Sequence, residues 1–399
     1  MYGDNEMSED KFLGNLYQRF PVTVEKGLGA HVWDTEGKEY IDCMGGYGVA
    51  LLGHQNKRVT DALKSQLEKI ITVHSSLYNK TREEFLENLF KVAPKNLSQV
   101  HLNNSGAEAI EAAMKFARKF TGKPEMVAMN GSYHGKSLGA LSITFNPKYR
   151  KSFKPLVEKV SFSPFGDIEK LRETVTDQTA FVILEPIQGE SGIHVAPDGF
   201  LQDVRKLCDE KGILLIFDEI QAGLGRTGKM WAHQHWETEP DILCLAKGIA
   251  GGVPMGATLV RPDILACISK GEHSSTFGGN PLSCAAGAAT MQALTQDKLV
   301  ENSANMGKLF RQGLEQLKEK HSVIREIRGK GLMIGVELKF EVRDILMEGI
   351  EKGLLLLYSG RNILRLLPPL VITEEDVTKS LEILDVLFTN EENRRNAQG

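Results

Sequence analysis

Between residues 126 and 260 the chain repeats one arrangement: a short apolar run, a polar joint and an amphipathic stretch. The runs are 126-MVAMN, 179-TAFVILEPI, 212-GILLIFDEI, 241-DILCLAK and 255-MGATLV. They are apolar on both faces, so strands formed from them must be covered on both sides. In 198-DGFLQDVRKLCDEKG, Leu201, Val204 and Cys208 share one helical face and Gly212 supplies a stop. Doubly buried strands separated by helices predict an α/β fold, a mostly parallel central sheet flanked by helices. After about residue 287 the texture changes to longer charged helices and shorter strands (332-LMIGVEL, 353-GLLLLY, 363-ILRLL), a smaller α+β domain. A last helix should start at Thr373 with a capping box to Asp376 and bury Val377, Leu381, Leu384 and Phe388. The expected division is 1–60 as an N-terminal segment contributing to the small domain and 61–287 as the large domain. Residues 288–390 form the C-terminal small domain, and 391-EENRRNAQG a disordered tail.

Composition excludes several function classes. A net charge of -4 leaves no global basic field for nucleic acid. The acidic start MYGDNEMSEDKF predicts no signal peptide, and no apolar run is long enough to span a membrane. Five scattered cysteines (Cys43, Cys208, Cys244, Cys267, Cys284) form neither a disulfide framework nor a metal knuckle, which predicts a cytoplasmic protein without a metal site.

The stretch 215-LIFDEIQAGLGRTGK satisfies the dinucleotide fingerprint through Gly223, Gly225 and Gly228 and nearly satisfies the phosphate-loop pattern. The dinucleotide motif needs its first glycine directly after a strand, whereas Asp218 to Ala222 intervene; Met230 stands where the phosphate loop needs a hydroxyl. The glycines then read as a mobile loop. The informative residue is Asp218, a carboxylate at a strand end in an apolar setting, which needs a charged partner.

Other residues converge on strand ends. Lys247 follows the run 241-DILCLA and precedes a glycine-rich turn; in an apolar pocket such an amine would be a nucleophile toward aldehydes. Ser105 and Glu108 match a capping box that opens an amphipathic helix ending at Gly122. The free N–H groups of Ser105, Gly106 and Ala107 would make an anion site. Tyr133 follows 126-MVAMN as an aromatic plate. Singly, each is also compatible with a surface charge, an ordinary cap or a packed ring. Together they match the needs of pyridoxal phosphate (PLP), whose chemistry requires a ring nitrogen paired with an acid.

With these elements and the motifs NSGAEA (104–109), EPIQGE (185–190), DEIQAGLGRTG (218–228), LAKG (245–248), HSSTFGGNP (273–281), RGKGLM (328–333) and LRLLPPLVI (364–372), the chain resembles the class III PLP aminotransferases of acetylornithine and ornithine type, over residues 17–388. The resemblance implies a fold-type I PLP transferase. Lys247 would hold the cofactor covalently, Asp218 would pair with its ring nitrogen, Gln221 would approach its ring hydroxyl and Tyr133 would stack on the ring. Ser105, Gly106 and Ala107 would bind the phosphate. Thr276 would reach the phosphate of the neighbouring subunit, so that a homodimer shares its active sites, and Ser275 beside it would bind substrate. Glu190 and Arg365 would form a gate: the arginine binds the glutamate carboxylate, and the acid masks it for the other substrate. Tyr17 falls where ornithine-type enzymes contact the α-amino end of the substrate.

Three departures accompany these matches. Lys136 replaces a common arginine that binds a substrate carboxylate, Ala222 a usual threonine and Ser191 a usual glycine. Within the family, 40-YIDCMGGYGVALLGH and PKYRKSFKPLVE look most like the aminotransferases that act on lysine or ornithine blocked by an acidic amino-group carrier protein, LysW. The resemblance therefore implies transamination between glutamate/2-oxoglutarate and the terminal amine of an α-N-blocked diamine, in lysine or arginine biosynthesis. Acetylornithine aminotransferase is the alternative; ornithine aminotransferase, glutamate-semialdehyde aminomutase and a nucleotide-dependent oxidoreductase are more remote. Lys148, Arg150, Lys151 and Lys154 form a local basic cluster that could receive an acidic partner or be a solvated loop.

Overall fold

The computed structural model of the chain describes residues 9–14 and 16–397. Seven strands build the central sheet: β1 Gln99–Asn103, β2 Glu125–Met129, β3 Val160–Ser163, β4 Thr179–Leu184, β5 Leu214–Asp218, β6 Ile242–Leu245 and β7 Gly256–Val260. Their order is β1-β7-β6-β5-β4-β2-β3. Only β7 runs antiparallel to its neighbours, so the sheet is mostly parallel, as the apolar runs predict. Strands β4 to β7 are buried along their whole length. The edge strands β1 and β3 are only partly buried, and their weaker apolar signal hides them in the sequence.

The parallel arrangement decides where chemistry can happen. In register, Asp218 at the end of β5 faces Cys244 of β6, three residues before Lys247. Tyr133 follows the end of β2, Glu185 that of β4 and Ser105 that of β1. All leave the sheet at its carboxyl edge, where open α/β sheets bind ligands.

A second sheet, all antiparallel, orders the strands Ile324–Lys330, Met333–Leu338, Ile363–Leu366 and Leu357–Ser359. The helices Leu299–Lys320 and Glu374–Asn396 pack together on this side. The last helix begins with the predicted reciprocal cap between Thr373 and Asp376. Near the N-terminus, Val24–Leu28, His31–Asp34 and Glu39–Asp42 form a sheet that takes Leu354–Leu355 as a parallel edge.

Three expectations need correction. The boundaries at 60/61 and 287/288 fall inside the helices Lys57–Leu67 and Pro281–Gln296, which pack against each other, so any division lies at helix ends. Residues 391–396, expected as a disordered tail, continue the last helix. Their charges are paired there: Arg394 with Glu391 at 2.8 Å and Glu348 at 3.2 Å, and Arg395 with Glu391 at 2.7 Å. The rest of that expectation, Gln398 and Gly399, lies outside the described residues.

The glycine loop after β5 is not a mobile one. Residues 221–227 are buried, and Gly225 and Gly228 both have φ of 86°. A Cβ on Gly228 would lie 3.0 Å from Ala304, and one on Gly225 3.0 Å from Val300. Between them the fully buried Arg226 donates to the carbonyl of Leu332 at 3.1 Å and to that of Pro368. The glycines allow close backbone approach to the helix Leu299–Lys320. Among the described residues no helix is long and apolar enough to cross a membrane, and no cluster of side chains has metal-ligand composition.

Candidate active site

The helix Gly106–Thr121 starts where β1 ends. Ser105 is extended, and its hydroxyl accepts the N–H of Glu108 at 3.2 Å. The Glu108 carboxylate reaches one residue further back than a capping box requires and accepts the N–H of Asn104 at 2.6 Å. The N–H groups of Gly106 and Ala107 lie in the first turn and have no partner within the helix, which leaves them available to an anion. A Cβ on Gly106 would stand 2.9 Å from Ile220, so this position suits a residue without a side chain.

Opposite this terminus lies Lys247, at the start of a 3-10 turn Lys247–Ala250 and with φ of 47°, a left-handed conformation that costs energy for a non-glycine residue. Burial pulls the Lys247 pKa below its ordinary value, against the opposing pull of Glu190 and Asp218. Its amine is therefore neutral more readily than a surface lysine's.

Asp218 finds its partner in His134, whose Nδ1 is 2.7 Å from Asp218 Oδ2; both side chains are buried. Glu185 shares this interior and accepts the N–H groups of Tyr133 and Gly189, each at 3.0 Å. Burial pushes its pKa up, reinforced by Asp218 and opposed by His134. Two buried carboxylates beside one lysine and one histidine make the inner wall strongly ionisable.

The outer wall is aromatic and cationic. Tyr133 is half-buried, and burial, with Glu190 next, pushes its pKa up to about 12. Tyr149 stands edge-on to it at 5.9 Å, and the Lys136 ammonium lies 5.0 Å over the Tyr149 ring. Arg365, wholly buried on Ile363–Leu366, gives Nη1 to Glu190 Oε1 at 2.7 Å and to the Gly189 carbonyl at 3.0 Å. Its guanidinium lies 5.9 Å from the Tyr47 ring centroid. Arg365 Nε and Nη2, Gln221 Oε1 and His134 Nε2 are buried without a partner.

One cavity of about 430 Å³ gathers Ser105, Gly106, Ala107, Tyr133, Lys136, Glu190, Asp218, Gln221 and Lys247, with Arg365 behind Glu190. Ser275 and Thr276 line a separate cleft with His101 and His273, tied to the cavity where Asn104 donates to Ser275 at 3.1 Å. Tyr17 stays outside, 64% exposed and 6.0 Å from the Arg19 guanidinium. Sequence reasoning missed His134, Glu185, Tyr149 and Tyr47. Glu185 sits inside a quoted motif and His134 directly after Tyr133, but nothing in a sequence announces which histidine meets which aspartate 84 positions away.

The residues fit PLP. A buried amine whose charge is disfavoured by burial, a buried carboxylate, free helix N-terminal donors, an aromatic plate and an unsatisfied side-chain amide surround one space of cofactor size.

Comparison with known proteins agrees with this geometry. Residues 13–388 match the family model for aminotransferase class-III. The acetylornithine aminotransferase of Methanopyrus kandleri is 45% identical over 95% of this chain and 97% of its own. The ornithine aminotransferase of Toxoplasma gondii, seen with partial occupancy of PLP at its active site, superposes with a TM-score of 0.93 at 33% identity, covering 97% of this chain and 94% of that one. The acetylornithine aminotransferase of Elizabethkingia anophelis superposes with a TM-score of 0.85 at 32% identity, over 96% and 97%. The chain belongs to the class III aminotransferases and is a PLP-dependent aminotransferase.

Proposed function

We propose that the enzyme exchanges the terminal amine of an α-N-blocked ornithine or lysine with glutamate/2-oxoglutarate. The observation that carries this reading is the Glu190–Arg365 pair beside the cavity that holds Lys247. A transaminase with two unlike substrates needs a site that accepts a carboxylate in one half-reaction and hides its cation in the other. Arg365 has unpartnered nitrogens for the glutamate carboxylate, and Glu190 can neutralise it when the partner substrate lacks a carboxylate there. The names of the similar acetylornithine aminotransferases favour N-acetylornithine.

PLP supplies an aldehyde and an electron-accepting ring. Lys247 would bind that aldehyde, and its Nζ, displaced by substrate, would carry the proton from the amine-bearing carbon. Asp218, braced by His134, would hold the proton on the ring nitrogen. Gln221 would address the ring hydroxyl, Tyr133 the ring face, and Ser105, Gly106 and Ala107 the phosphate. Lys136 would bind the carboxylate distal to the reacting amine, with one charge where the family commonly has a bidentate fork. Tyr17 would contact the blocked end of the substrate.

A homodimer completes this reading. Leu67, Ile70, Ile71, Leu77, Tyr78 and Phe277 are exposed, and the backbone of Leu282 bonds that of Ile71 beside the segment carrying Ser275 and Thr276. A second copy covering this apolar face would bring Thr276 to its partner's phosphate site. Five unpaired cysteines suit a reducing cytoplasm. The carrier-linked reading rests on the likeness of 40-YIDCMGGYGVALLGH and PKYRKSFKPLVE to carrier-linked enzymes, with Lys148, Lys151 and Lys154 exposed near Tyr149; Arg150, the fourth member of that cluster, is partly buried with its guanidinium 4.8 Å over the Phe162 ring. Competitive kinetics with N-acetylornithine, N-acetyllysine and carrier-linked lysine and ornithine test both readings. A preference of less than about tenfold for any blocked diamine over free ornithine, that is, less than about 1.4 kcal/mol, would remove the requirement for a blocked α-amine.

A further inference from the structure

Lys136 is an exposed ammonium on a flexible stem, with none of the directional rigidity of a guanidinium fork. For it to receive a carboxylate at a defined place, something other than its own geometry must hold it. Tyr149 stands against Lys136 and Tyr133, which both line the cavity. The Lys136 ammonium lies 5.0 Å over its ring, and Tyr133 meets it edge-on at 5.9 Å with planes at 78°. Its hydroxyl lies within electrostatic reach of Glu190, Tyr358 and Arg365. The turn Pro147–Arg150 that carries it is anchored by Asn146, whose side chain accepts the N–H of Lys148 at 2.9 Å.

Resting on the reading of Lys136 as a carboxylate-binding residue, we infer that Tyr149 is a specificity-determining residue: its ring face positions the Lys136 ammonium, and its edge contact with Tyr133 ties that ammonium to the cofactor plate. Cation–π attraction restricts the lysine rotamers, and the edge-to-face contact fixes the ring that does so. Tyr149 then determines how well a single ammonium can replace a rigid fork for substrates with a distal carboxylate. Its ring contacts are to Lys136 and Tyr133 on the outer wall, so its effect belongs to substrate recognition and not to proton transfer at Lys247 Nζ.

The test is a double-mutant cycle on the holoenzyme with N-acetylornithine and 2-oxoglutarate. Tyr149→Leu is expected to raise KM about fivefold with kcat and the visible cofactor absorbance little changed, and Lys136→Met to raise KM about tenfold. Their combination should be no worse than Lys136→Met, because the ring acts through the ammonium. Tyr149→Phe, which keeps the ring face, should restore the wild-type KM. Losses that multiply in the double variant, or a Tyr149→Phe as impaired as Tyr149→Leu, would overturn the inference while leaving Lys136 as a substrate residue. A Lys136→Met with unchanged KM would instead remove the carboxylate-binding reading, and the role of Tyr149 with it. Thermal melting of each variant separates these outcomes from a general loss of fold.

Discussion

Arg365 has no exposed surface, yet it gives Glu190 a single nitrogen, Nη1 to Oε1 at 2.7 Å, and leaves Nε and Nη2 without a partner. A buried guanidinium held this loosely is poised to exchange one carboxylate for another. Glu190→Gln keeps the shape and removes the competing charge. Glutamate should then bind Arg365 unopposed: its KM falls about tenfold, and kcat/KM for the blocked diamine falls ~10- to 100-fold as the uncompensated cation resists a neutral substrate end. Steady-state kinetics with each substrate varied in turn checks this; parallel changes for both substrates would show that the pair is structural.

Lys247 supports two predictions from one environment. With Lys247 proposed as both nucleophile and proton carrier, Lys247→Ala should abolish the visible absorbance of the lysine-bound cofactor and lower turnover by ~10⁴-fold or more. In the cofactor-free protein the same burial acts on stability. The folded-state pKa of Lys247 is lowered by burial, so its contribution is fully present above the ordinary lysine value and is lost as pH falls through the folded value. Cofactor-free Lys247→Met, which cannot take up the buried charge, should therefore melt above the wild-type apoprotein, with the gap widening toward acid. Calorimetry of both apoproteins across pH reads the difference, and an identical pH dependence would mean that the amine reaches water.

Asp218 is bonded to His134 Nδ1 at 2.7 Å beneath the cavity. Asp218→Asn preserves size but removes the carboxylate proposed to hold a proton on the cofactor ring, and it changes the group that faces His134 Nδ1. Turnover should drop by ~10³-fold while the cofactor stays bound through the phosphate contacts proposed for Ser105, Gly106 and Ala107. Stopped-flow half-reactions and cofactor content measured on the same preparation separate the two effects. A fall in activity that only tracks cofactor loss would assign Asp218 a binding role alone.

What the sequence reveals of this site depends on the range of the interactions. The buried strands, the Ser105 and Thr373 caps and the strand-end positions of Asp218 and Lys247 are local patterns, and they appear where expected. The interior edges of the site are not local. His134 meets Asp218, and Tyr149 meets Lys136, only because β4 alone separates β2 from β5 and the chain after β2 folds back across the carboxyl edge. The end of the final helix is hidden because a run of opposite charges reads as solvated until Glu348, far away in sequence, is seen to pair with Arg394. The glycine loop misleads for the same reason: a glycine needed for flexibility and one needed for close approach look alike until the neighbouring helix is in place.

That last distinction can be measured. Gly228 has φ of 86°, and a Cβ there would sit 3.0 Å from both Cα and Cβ of Ala304 on a packed helix. Gly228→Ala therefore meets backbone strain and a steric contact at once, and should destabilise the enzyme by about 1–3 kcal/mol. The loop is also closed on itself, with the N–H of Gly225 bonded to the Met230 carbonyl and that of Gly228 to the Gly225 carbonyl, each at 3.0 Å. Its amides should exchange with solvent as slowly as those of β5, which a hydrogen-exchange experiment reads directly. A mobile loop would accept the alanine at little cost and exchange quickly. A packed one should lose stability in the variant and bring the Leu332 and Pro368 contacts of Arg226 down with it.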